Sequence, residues 1–270
     1  MRYNITLKVF FTLLSCIFVS CSSDTPTEPE EPGSPFNLIF NVENGALKFE
    51  VWSATANELK YGYNEIGFKV FNNGVEQKNG YVIFNPIMYH GIGGPSHAMP
   101  VRDKFLYNNE TGLFHGYVVF LMYDTTAFFA VDYNYNNSFF IDSVVFQIGF
   151  NERSQIKVWD NFVTEKTYVL TLLSPLSPGK GQHDFELMLH STDDMMSYEE
   201  VNNAEMFIEP KHSSGAGSVN NLNPVSTGGA KYLGRINLDK TGLWQITDSI
   251  SYNGLTLTKT PPPKFTFNIN

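Results

Sequence analysis

Two stretches of the chain share one frame: "PIMYHGIGGPSHAMPV" at 86–101 and "PKHSSGAGSVNNLNPV" at 210–225. Each runs from a proline to a Pro-Val pair and keeps two inner glycines at matching places, at a constant offset of 124. An internal repeat constrains architecture more than any single element, because one supersecondary unit must be buildable twice. Upstream, "KFEVWSATANELKYGYNEIGFKVF" at 48–71 aligns with "TYVLTLLSPLSPGKGQHDFELMLH" at 167–190 at an offset of 119. Downstream, "GLFHGYVVFLM" and "AKYLGRINLDK" share a glycine, and Phe128 and Trp244 fall at comparable aromatic positions. Short alternating segments, "VVFQIGF" at 144–150 and "KFTFNIN" at 264–270, close the two copies. The boundary falls near Asn151, in the polar "NERS", giving domains at 36–151 and 152–270.

Each copy reads as all-β. Apolar and polar residues alternate over short runs rich in Phe, Tyr, Val, Ile and Thr, separated by Gly, Asn, Asp and Pro. No apolar stripe of helical period lasts three turns. About seven strands in roughly 115 residues fit two tandem immunoglobulin-like β-sandwich domains.

The N-terminal end belongs to export rather than to the fold. Arg2 and Lys8 precede an apolar run from Val9 to Ser20, the layout of a signal peptide over 1–20. "FVSC" resembles the lipobox of bacterial lipoproteins, which implies lipidation at Cys21; Cys16 in "LLSC" is a competing match with a shorter apolar core. The next stretch, 21–35, is rich in Pro, Ser and Glu and reads as an acidic disordered tether. Acidic residues soon after the cysteine resemble the export signal of Bacteroidetes lipoproteins. The expected location is the outer membrane, periplasm-facing or at the cell surface, with the membrane contacted through the N-terminal lipid.

Composition excludes several functions. Both cysteines lie at or before residue 21, so the folded part has neither a disulfide nor a thiolate metal ligand. Loss of 1–20 leaves 16 basic and 27 acidic residues, a net charge of −11. Such a chain is a poor partner for nucleic acid. No G-x-S-x-G elbow, phosphate loop or spaced carboxylate pair is present, so the chain reads as a non-enzyme.

The first repeated loop holds the side chains with chemistry to offer. Val82, Phe84, Pro86, Met88 and His90 share one strand face by parity, and His97 and Met99 are again two apart. "GIGGPS" between them is flexible enough to fold back. Two thioethers and two imidazoles without a carboxylate suit copper better than zinc or calcium. Met88, His90, His97 and Met99 are therefore the candidate ligands, with His115 as an additional ligand or supporting partner. Against this stands the ordinary reading, in which each methionine fills the core and each histidine is solvated.

The pattern P-x-M-x-H-G (Pro86, Met88, His90, Gly91), followed by Gly112, Gly116, Tyr117, Phe120 and Met122, resembles the YtkA-like family. That resemblance implies an Ig-like envelope domain and copper-associated binding at Met88 and His90, extended to His97 and Met99. The partner would be a copper ion or another envelope protein. The second copy departs from it: His212 stands in place of Met88, Ser214 of His90, and Asn221 and Asn223 of His97 and Met99. A separate group (His183, Met188, His190, Met195, Met196) follows the second hairpin, where Phe185, Leu187 and Leu189 form the core row and Met188 and His190 point away from it. The competing function, from another class, is a surface adhesion or glycan-binding module without metal. It draws on 14 tyrosines, 23 phenylalanines and loops such as "DYNYNNS" at 132–138.

Overall fold

In the computed structural model, residues 36–54, 57–91, 93–124, 127–137 and 139–270 are described. The expected signal segment, the lipidation site Cys21 and the tether lie outside them. The first half holds β1 (Asn37–Asn44), β2 (Leu47–Ser53), β3 (Gly62–Asn72), β4 (Val75–Gln77), β5 (Tyr81–Tyr89), β6 (Ser96–Ala98), β7 (Phe105–Asn108), β8 (Leu113–Phe120), β9 (Phe128–Tyr135) and β10 (Phe139–Phe146). The second holds β11 (Ile156–Asn161), β12 (Lys166–Ser174), β13 (Gly181–Thr192), β14 (Glu199–Glu200), β15 (Glu205–His212), β16 (Leu222–Gly228), β17 (Lys231–Leu238), β18 (Gly242–Tyr252), β19 (Leu255–Thr256) and β20 (Lys264–Ile269). All named strands pair antiparallel.

The two halves repeat one topology. One layer runs β1-β2-β3-β8-β7 in the first half and β11-β12-β13-β17-β16 in the second. The facing layer is β5-β9-β10 in the first and β15-β18-β20 in the second. The chain is thus all-β, two immunoglobulin-like antiparallel sandwiches in tandem. In the first, β7 is hydrogen-bonded to both β8 and β5, which joins the layers into one sheet. In the second, the layers stay separate.

Alternation builds both cores. In β2, "LKFEVWS", Leu47, Phe49, Val51 and Ser53 are buried while the intervening residues are partly exposed. In β20, "KFTFNI", Phe265, Phe267 and Ile269 turn inward. The first core centres on aromatic rings: Phe68 lies 5.0 Å from Phe105 and 5.3 Å from Phe84, and Phe49 lies 5.5 Å from Tyr133. Complete burial of such a side chain stabilises by about 1.5–3 kcal/mol. The second core gathers Trp244, Tyr232, Phe185, Phe265 and the Leu187/Leu189 row.

Strand register refines the repeat. Met88 faces Phe129 across β5 and β9, and His212 faces Trp244 across β15 and β18, so His212 does stand where Met88 does. The aromatic equivalent of Trp244 is Phe129 rather than Phe128. The 119 offset holds for β3 and β13, where Ile66 faces Gly116 and Phe185 faces Gly234. For β2 and β12 it becomes 121, since Phe49 faces Val70 while Leu170 faces Leu189. The β12–β13 connection is shorter than the β2–β3 one by those two residues. The Pro-Val ends also slip. Val101 bridges Val118, beyond Gly116, whereas Val225 pairs with Leu233, before Gly234, where β16 bulges.

The shared glycine is structural in both copies. A Cβ on Gly116 would lie 2.6 Å from a ring carbon of Phe105, and one on Gly234 would lie 2.7 Å from the Leu222 carbonyl oxygen. Each glycine leaves room for the segment that crosses over it.

Pro35–Asn270 form one compact unit. Its seam is apolar at the centre: Val169, Met188 and Ala230 of the second sandwich are fully buried within the hydrophobic cluster of the first.

Candidate functional site

The Met/His loop folds back as its glycines suggested. Met88 pairs with His97 and Tyr89 with Ser96, and the His90 amide donates to the Pro95 carbonyl at 3.1 Å. Gly91 (φ 78°) and Gly93 (φ 76°) adopt left-handed backbone that glycine accepts at no steric cost. The His90 and His97 rings approach to 5.4 Å between centroids, tilted by 32°.

The four candidate ligands divide into two pairs. Met88 and Met99 are 0 % and 1 % exposed and belong to the core. The Met99 sulfur accepts the Leu121 amide at 3.4 Å. The histidines are half-buried at the loop. His97 donates from Nδ1 to the Ala98 carbonyl at 3.1 Å, which leaves Nε2 buried and unpartnered. Burial holds the His97 imidazole below its ordinary pKa, and His90 beside it adds to the effect. His97 therefore presents a neutral ring with a bare lone pair.

His115 is not brought to this loop. It lies on β8 six residues before Leu121, about 20 Å away along an extended strand. There it bonds Glu65 at 2.8 Å and packs edge-on against Phe36 at 5.4 Å. Among the described residues no three His, Cys, Asp or Glu side chains gather as a metal cage.

The second copy uses its loop residues as struts. His212 bonds Ser214 at 2.8 Å and the Thr241 carbonyl at 3.0 Å, and packs on Trp244. The Asn221 side-chain carbonyl accepts the Asn237 amide, and that of Asn223 accepts the Ile208 amide.

The His183/Met188/His190 group does not converge. His183 and His190 are seven residues apart on β13, about 23 Å, and His183 is half-buried, bonded to the Gly179 carbonyl. Met188 and His190 point away from the core row, yet they are fully buried, because their face of β13 is the seam. Met195 and Met196 sit on the following turn, where the Met195 carbonyl accepts the Ala98 amide.

That seam carries a polar chain. The Arg102 guanidinium bonds Glu200 at 2.7 Å, the Tyr117 hydroxyl donates to the same carboxylate at 3.0 Å, and His190 Nε2 lies 2.9 Å from the Tyr117 oxygen. With the phenolic hydrogen on Glu200, His190 Nε2 must donate, which leaves Nδ1 buried without a partner. Complete burial pushes the His190 pKa down to about 3, so the ring is neutral.

Beside this chain opens a cleft of about 330 Å³ between the sandwiches. Tyr63, Glu65, Arg102, His115, Tyr117 and Lys231 line it. The rings of Tyr63 and Tyr117 stack 6.1 Å apart, and the Lys231 ammonium sits 5.5 Å from the Tyr63 ring. The hydrogen bond from His115 holds the Glu65 carboxyl below the usual carboxylate range. Burial raises the Tyr63 phenol well above its ordinary pKa, so it remains a donor. Cations, a carboxylate and hydroxyls thus line one opening. Sequence reasoning missed this site, since its parts come from both copies.

No family model and no curated protein matches the sequence. Structural comparison returns chains at low similarity. The Escherichia coli adhesin FdeC is 11 % identical over 84 % of this chain, which spans 65 % of that chain's length, at a TM-score of 0.24. Domains 5–6 of the S-layer protein SbsC are 9 % identical over 87 % of this chain and 97 % of that one, at 0.26. A marsupial T cell receptor is 6 % identical over 84 % and 98 %, at 0.22. At these TM-scores the superpositions carry no argument about this chain.

Proposed function

We propose that the chain is a non-catalytic adhesion module of the bacterial outer membrane, held by lipid at Cys21, that grips a hydroxyl-rich glycan segment in the cleft between its sandwiches. The observation that supports this reading is the lining of that cleft, where Lys231, Arg102, Glu65 and two tyrosines supply both donors and acceptors. The Tyr63 ring is already engaged by Tyr117 and Lys231, so recognition would use polar edges rather than a stacking platform. The test is retention of residues 36–270 on a panel of neutral and acidic polysaccharides. Loss of one charged hydrogen bond costs about 1.5–3 kcal/mol, so Lys231→Ala or Glu65→Gln should weaken binding by about tenfold or more. Failure of the unaltered protein to bind any polysaccharide removes the reading.

We infer a second reading from the paired His90 and His97 rings and the bare Nε2 of His97: a copper ion held mainly by the two imidazoles, with Met88 next to His97 in register. It accords with the resemblance of this loop to the YtkA-like family. Anaerobic Cu(I) titration against a competing chelator tests it. His90→Ala/His97→Ala should abolish binding; equal weak binding by both proteins ends the copper reading.

A further inference from the structure

The second sandwich holds a fully buried Asp248 and, inward from its edge strand, a half-buried Lys157, neither used by a ligand reading. Lys157 of β11 pairs with Leu170 and lies two residues before Trp159, both core members, so its side chain starts inward. Its ammonium reaches the Phe265 ring, 5.5 Å from the centroid. Phe265 faces Ile246 across β20 and β18, and Asp248 follows two residues later on the same inner face. Asp248 is fully buried, and neither carboxyl oxygen has a hydrogen-bond partner. A polar group in that condition is costly to keep in a core. Lys157 is the charged residue that acts on it.

We propose that Lys157 and Asp248 are the two ends of an amide cross-link that ties the edge strand β11 to β18 across the core of the second sandwich. The Lys157 Nζ lone pair attacks Cγ of Asp248. The C–O bond to the protonated oxygen breaks, and that hydroxyl departs with one Nζ proton as water. The other Nζ proton stays on the new amide, so atoms and charge balance without an oxidant or a cofactor. Burial favours the two reactive forms, since it raises the Asp248 carboxyl well above its usual range and lowers the Lys157 amine. The product replaces an unpartnered carboxyl by a neutral amide. It also staples a chain whose folded part has no cysteine, at the strand that ends its sheet. The inference is independent of what the cleft binds.

Tryptic mapping of the full chain purified from membranes decides the matter. The expected result is a branched peptide that joins the Lys157 and Asp248 segments, lighter than their sum by one water, with no cleavage after Lys157. Lys157→Arg and Asp248→Ala should each return linear peptides and a lower melting temperature. Recovery of separate linear peptides carrying Lys157 and Asp248 from the unaltered chain overturns the proposal. So does a water loss that maps elsewhere.

Discussion

The phenolic oxygen of Tyr117 lies 2.9 Å from Nε2 of His190, and the two residues belong to different sandwiches. Through the same hydroxyl, Tyr117 also reaches Glu200 and hence Arg102. One oxygen therefore closes the polar part of the seam. Tyr117→Phe should leave the His190 donor buried and unsatisfied, at a cost of about 1–3 kcal/mol in denaturant unfolding. Pairing it with His190→Leu should recover much of that loss, because an apolar pair leaves no stranded donor. A double variant as unstable as the sum of the single ones would argue against this account.

The same histidine sets a pH dependence. Its folded pKa of about 3 lies below the ordinary 6.5. Between those values the unfolded chain binds a proton that the folded chain refuses, so this contribution to stability is complete above pH 6.5 and is lost as pH falls towards 3. The slope from this residue should approach about 1.4 kcal/mol per pH unit. Urea unfolding of His190→Gln across pH 4–7 should show a flatter profile than the unaltered protein.

Met88 is a structural side chain whatever else it does. At 0 % exposure, its replacement by alanine should cost about 2–5 kcal/mol. His90→Ala, at a half-buried loop position, should cost far less. Thermal denaturation of the two variants separates a core role from a binding role before any metal is added.

The repeated glycines should differ in tolerance. Alanine at Gly116 meets a side chain, the Phe105 ring, whereas alanine at Gly234 meets backbone, the Leu222 carbonyl and Pro224. Overpacking of this kind costs about 1–3 kcal/mol. Gly234→Ala should fall at or above the upper end and Gly116→Ala nearer the lower, as read from unfolding midpoints.

Much of the fold was legible because strand parity is local. Val82, Phe84, Pro86 and Met88 do share the inner face, and Phe185, Leu187 and Leu189 do form a core row. Register between strands was less legible, since it depends on loop lengths; the two-residue difference before β13 displaced the alignment of β12 without changing its parity. The site was the least legible part. Tyr63, Arg102 and Lys231 lie far apart in sequence, and nothing local marks them as neighbours. For Met88 and Met99 the residue types favoured chemistry, while their depth makes them packing groups first. His190 was read as facing away from its own core, and the first sandwich, rather than water, occupies that side.

The buried part of the outer face of β13, at Met188 and His190, also bears on how copies of this unit can be strung together. In a freely extendable array the members are interchangeable, and any one can follow any other. Here Val169, Met188 and His190 form a receiving surface on the second copy, and Tyr117 with its neighbours is the matching surface on the first. The two copies are therefore not interchangeable: each carries a different half of the one joint between them.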